Sequence, residues 1–204
     1  MSDDLKLSHK IIELSGIPST SISSIYATRS ALYQGIKTSH TTIPPDLIVL
    51  PPSLPPPPTD AADFLTELTA CANAAATSAA CGSILAGHNS ETDEFGDIAF
   101  WLGPGSYEQG NELAVLRALD LPVGSHPEIE PVELSPSTRL PTSAGLTMTT
   151  TATERLVGLL TRLSNPHGFR TKLTRPEGDL IVYILAGQRD AGWMGLLGLG
   201  MWLD

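Results

Sequence analysis

The sequence predicts an α+β fold: an antiparallel or mixed sheet covered by helices on one face, with two related (β)αββ halves as its candidate organisation. Three observations lead there. The last third, Thr151 to Leu203, reads as one helix followed by three strands. An alanine-rich stretch from Thr59 to Gly82 has a single apolar face at helical spacing. A Gly-Asp pair followed by an apolar run occurs twice, at Gly96-Asp97 and Gly178-Asp179, 82 residues apart.

In chain order, Leu5 to Leu14 reads as a short helix ending at Gly16. Ser19 or Thr20 caps a second helix carrying Ile22, Ile25, Tyr26, Leu32 and Ile36, with strand as a live alternative because β-branched residues weaken its helical preference. Asp46 to Leu50 is a short strand. Eight prolines in the fifteen residues 44–58 keep it at a sheet edge and make 51–58 an extended connector. Phe64, Leu65, Leu68, Cys71, Ala72 and Ala75 form the buried face of the next helix, and its alanines allow close approach of a neighbour. Ser83 to Gly87 and Asp97 to Leu102 are expected as strands around a polar loop. Gly103 to Gly110 is a strand-to-helix turn and Asn111 to Leu119 a helix. Residues 121–150 form a long irregular loop, with Val132 to Leu134 as a short strand within it.

The last third begins with Thr151-Ala152-Thr153-Glu154, which has the spacing of a capping box. Leu156, Val157, Leu159, Leu160 and Leu163 then recur helically until Asn165-Pro166 stops the pattern. Phe169, Thr171 and Leu173 alternate with Arg170, Lys172 and Thr174, and Arg175-Pro176-Glu177-Gly178 turns the chain into the apolar run Leu180 to Ala186. Trp193 to Leu203, before the final Asp204, is eleven residues without a charge. On a strand, Met194, Leu196, Gly198, Gly200 and Trp202 share one face, and Trp193, Leu197, Leu199, Met201 and Leu203 the other, so both faces are apolar. We read residues 1–204 as a single compact domain with sub-units 46–120 and 130–204.

Twelve basic against 22 acidic residues give a formal charge of −10, which opposes phosphate backbones and anionic lipid. Arg155, Arg162, Arg170, Lys172 and Arg175 are the nearest thing to a basic cluster and read as a solvated face. The N-terminus lacks a signal-peptide pattern, and the apolar terminal run is shorter than the ~20 residues a spanning helix needs, so a soluble cytoplasmic protein is expected. Cys71 and Cys81, about 15 Å apart if both lie on one helix, read as buried free thiols.

No motif for catalysis stands out. The loop after Leu102 lacks the dinucleotide and mononucleotide spacings and carries Glu108 where an anion would be repelled. Glu91, Asp93, Glu94 and Asp97 with His88 match no calcium loop and read as solvated, and the five histidines form no zinc pattern, so neither a metal nor a cofactor is expected. Cys81 and Ser83 near His88 lack the setting of a nucleophile. Two functions remain. The first is a non-catalytic soluble interaction or assembly subunit that uses the apolar C-terminal strand as its interface with a protein partner or a second copy. The second is a small-molecule-binding domain, or an enzyme, with a pocket between the halves lined by Trp101, Tyr183, Trp193 and Trp202, with Asp179 and Glu108 as polar candidates.

Overall fold

The computed structural model describes residues 19–33, 48–51, 53–145, 150–173, 178–190 and 192–201. The expected helix at Leu5 to Leu14, Ile36, the turn residues 175–177, Trp202 and Leu203 lie outside these residues. Among the described residues the fold is α+β, a mixed six-stranded sheet covered by four helices. The helices are α1 (Ser19–Leu32), α2 (Thr59–Ser78), α3 (Glu112–Ala118) and α4 (Thr151–Leu160). The strands are β1 (Ile48–Val49), β2 (Ile98–Gly103), β3 (Ile129–Val132), β4 (Ser164–Leu173), β5 (Leu180–Arg189) and β6 (Gly192–Met201). They lie in the order β1-β2-β6-β5-β4-β3, with β1 parallel to β2 and every other pair antiparallel.

The uncharged strand β6 sits in the interior of this sheet, paired along its length with β5 on one side and, from Trp193 to Leu197, with β2 on the other. Its faces alternate as the sequence predicts. Met194 and Leu196 join Ala99, Trp101, Tyr183 and Leu185 under α2 and α4. Trp193, Leu197 and Leu199 join Phe100, Val182 and Ile184 under α1 and α3. Helices therefore cover both faces and not one. The reason is in β2, β5 and β6, which are apolar at odd and even positions alike, so a bare second face would leave a large apolar surface in water.

Three local expectations are corrected. Ser83 to Gly87 is not a strand: it curls into a turn in which the Gly87 amide donates to the Ser83 carbonyl at 2.9 Å and runs into a short 3-10 turn, Gly87–Asn89. The short strand expected at Val132 to Leu134 lies upstream, at Ile129–Val132, where β3 pairs with β4, and the edge it forms is blunted by Pro131. The cap of α4 moves one residue upstream, where Thr150 Oγ1 accepts from the Thr153 amide at 3.2 Å. α4 ends at Leu160, ahead of Asn165-Pro166, and Pro166 lies inside the following strand, absorbed where the β4–β5 register shifts between Ser164 and His167.

The end of α2 also differs from the expected stop at Gly82. Ala80 takes a left-handed conformation, φ 55°. Its amide bonds to the Thr77 carbonyl at 3.2 Å and that of Cys81 to the Ala76 carbonyl at 3.0 Å, closing the helix with an alanine where glycine is usual. A Cβ in that region costs ~1–2 kcal/mol. Ala80 is exposed, so nothing else holds it there. Ala80→Gly should stabilise the protein by about 0.5–1 kcal/mol after the added unfolded-chain entropy, raising Tm by roughly 1–4 °C in a thermal melt.

Candidate functional site

The densest polar construction in the described residues is built on the two residues that precede β2, Gly96 and Asp97. Gly96 meets α1: its amide donates to the Ser24 carbonyl at 3.1 Å and its carbonyl accepts from Thr28 Oγ1 at 2.6 Å. Asp97 meets α2 through its backbone, accepting from Asn73 Nδ2 at 2.7 Å and donating to Asn73 Oδ1 at 3.2 Å. One turn earlier on α2, Thr69 Oγ1 accepts from the Ala99 amide at 2.9 Å. Side chains of α2 thus hydrogen-bond the strand that the two-residue β1 is too short to cover. A Cβ on Gly96 would overlap Asn73 Oδ1, so only glycine lets the helix in.

The Asp97 side chain is fully buried and carries the third connection. Its carboxylate accepts from Ser83 Oγ at 2.7 Å and from the amides of Ile84 at 2.6 Å and Leu85 at 3.4 Å. Those bonds explain why Ser83 to Gly87 turns instead of extending: successive amides have to converge on one anion. Across the sheet, a Cβ on Gly198 would collide with Ser83 Oγ and Asp97 Oδ1, and one on Gly200 would press on Ala86 and the Tyr183 ring. The glycine stripe of β6 is therefore filled from within the chain. Burial pushes the Asp97 pKa up to about 6, against the three hydrogen bonds, which pull it down.

Beside this cluster lies a cleft of about 270 Å³ between α1 and the end of α2, whose walls include Ser21, Ser24, Thr77, Cys81 and Asp93. Cys81 is 8% exposed, its thiol donates to the Ala76 carbonyl at 3.6 Å, and burial first, then the charges of Asp97 and Asp93, push its pKa up to about 12. It stays a thiol at neutral pH and is a poor nucleophile. Among the described residues, no group of three or more His, Cys, Asp and Glu side chains could hold a metal ion, and no helix is long and apolar enough to cross a membrane.

The site residues expected from sequence are distributed as follows. Trp101 and Tyr183 lie on the α2–α4 face, both buried. Trp101 is opposite Met194, itself opposite Gly187, so Trp101 and Tyr183 are four residues apart along the strands, about 13 Å. Trp193 is buried on the other face, edge-on to His167 at 5.9 Å. Glu108 is exposed, on the loop after β2, and its charge and that of Glu112 act on His167. Asp179 forms an ion pair with Lys172 at the start of β5. The structure thus brings Glu108 near Trp193 through His167, a residue the sequence did not single out, and sets Trp101 and Tyr183 apart from them. The basic residues are drawn to carboxylates, Arg170 to Glu130 at 2.6 Å and Arg155 to Glu67 at 3.1 Å.

Asp97, grouped from sequence with a solvated acidic loop, is 0% exposed, which corrects that reading. The usable signal was its place directly before an uninterrupted apolar strand, with glycine at position 198 bare on the strand beside it. Its pKa makes a testable sign. A carboxyl raised from 3.8 to about 6 in the folded state holds its proton-linked stability in full below about 3.8 and loses it as pH rises through 6. Asp97→Asn removes that dependence while keeping an oxygen for the Ile84 amide. In urea titrations the stability of the native chain relative to Asp97→Asn should grow by roughly 2.5 kcal/mol between pH 7 and pH 4. His167, whose pKa burial lowers, has the opposite sign and cancels in this difference.

No family model, curated protein or solved structure matches the chain.

Proposed function

We propose that the chain serves as a non-catalytic interaction or assembly subunit. The observation that carries this reading is that the buried carboxylate, the Cys81 thiol and the described aromatic candidates are held within the fold, while His167 is buried with neither ring nitrogen hydrogen-bonded by the described residues. The Asp97 carboxylate is bound by Ser83, Ile84 and Leu85, the Cys81 thiol is buried, and Trp101, Tyr183 and Trp193 are core residues. The sequence put the interface on the terminal strand. Because β6 lies between two strands and under helices on both faces, the contact surface in this reading is the outer one instead.

That outer surface is polar and acidic. Asp60 and Asp63 are exposed on α2, Glu91, Asp93 and Glu94 on the loop before β2, and the one exposed large hydrophobic side chain among the described residues is Tyr26, at 38%. Such a surface suits a reversible contact with a basic partner, or with a second copy once salt screens the mutual repulsion of a −10 chain. Both cysteines are free and buried, which fits the reducing cytoplasmic setting that this proposal includes.

Light scattering on the purified chain at low and high salt tests the self-assembling form. The proposal expects a mass of at least twice 21.6 kDa at about 0.5 M salt, with dissociation as salt falls below the screening range. A 21.6 kDa monomer at both salts removes that form and leaves association with a basic partner, which would weaken as salt rises.

A further inference from the structure

The cleft between α1 and the end of α2 has a donor and acceptor pattern that the assembly reading does not use. Its walls hold oxygens and no cation: none of the eight residues lining it is Lys, Arg or His. Ser21 is 6% exposed, lines the cleft, and its hydroxyl has no hydrogen-bond partner among the described residues. Ser24 brings a second hydroxyl from the next position on α1 that faces the same way, three residues on. Asp93 lines the same cleft and uses Oδ1 to accept from the Gly82 amide at 3.1 Å, and its other oxygen takes no hydrogen bond from the described residues. The twenty-residue helix α2 presents its C-terminal, electronegative end here.

We propose that this cleft is a binding site for a primary alkylammonium group, carried by a small amine or by a lysine side chain. Three N–H donors on one nitrogen match the three acceptors, the hydroxyls of Ser21 and Ser24 and the free oxygen of Asp93. The charge on Asp93 and on buried Asp97 gives the cleft the sign for a cation, and both charges raise the pKa of the Cys81 thiol in its wall. Anions are repelled by the same groups. A quaternary ammonium lacks N–H donors and binds through aromatic faces, and no aromatic residue lines the cleft. The volume of about 270 Å³ is near the lower end of the ~300–1,000 Å³ of ligand pockets, which suits a short aliphatic amine.

The test is a titration of the whole chain with n-butylammonium chloride, followed by the amide NMR signals of Gly82 and Cys81, with tetramethylammonium and sodium chloride at matched ionic strength. The proposal expects saturable shifts with n-butylammonium, a Kd on the order of 1 mM, and no saturation with either control. Ser21→Ala and Asp93→Asn should each weaken binding about fivefold or more. Asp93→Asn keeps an acceptor for the Gly82 amide and so leaves the loop in place. A parallel titration with Nα-acetyl-lysine methylamide separates the sources: tighter binding than n-butylammonium assigns the site to a lysine side chain, and equal or weaker binding to a free amine. Absence of saturation up to about 50 mM, an equal response to tetramethylammonium, or full affinity in both variants overturns the proposal.

Discussion

Burial of a single carboxylate organises much of this molecule. Taking Asp97 out of water carries a penalty that its hydrogen bonds offset only in part, which is why its pKa lies near 6 and not below its ordinary value. The offset requires donors from a segment that would otherwise be free to extend. Ser83, Ile84 and Leu85 supply them, and the chain between α2 and β2 takes its turn from that requirement. The backbone of the same two residues holds α1 through Ser24 and Thr28 and α2 through Asn73. Removing one member would leave several buried donors without partners, at roughly 1–3 kcal/mol each.

The glycines of β6 are the other half of the same arrangement. A strand buried on both faces would ordinarily be filled with branched side chains, yet β6 is bare at 198 and 200. The space belongs to Ser83, Asp97, Leu85 and Ala86, which reach the sheet from the turn before β2. Apolar strand and polar cluster are therefore complementary: the strand gives up side-chain volume so that a charged group can be enclosed. The stripe is occupied from within, and the surface cleft at the end of α2 shares Asn73 with the cluster.

Much of the architecture was legible in the sequence because it rests on periodicity. The helical face of α2, the alternation of β6 and the edge position of β1 all follow from apolar spacing and proline placement. What was not legible depends on pairings across long stretches of chain. Ser83 to Gly87 is apolar enough to read as a strand, and only the carboxylate fourteen residues later makes it turn. Asp97 itself looked like the last member of an acidic loop, since burial of a charge is visible only once its donors are in place. The second helical layer was hidden for a related reason: α1 has little amphipathic contrast, and its hold on the sheet runs through Thr28 and Ser24 as much as through Ile25 and Leu32. The aromatic residues chosen from sequence, Trp101, Tyr183 and Trp193, are buried on both faces of the sheet, because helices cover both, and the alternation of a single strand does not show what packs on it.

The account turns on Asp97 being enclosed as a hydrogen-bonded anion at neutral pH. The most direct measurement is an NMR titration of the Asp97 side-chain carboxyl carbon in the folded protein. The account predicts a midpoint at about 6, with the amide signals of Ile84 and Leu85 moving together with it. A midpoint at or below the ordinary value of 3.8, with those two amides indifferent to the titration, would contradict it.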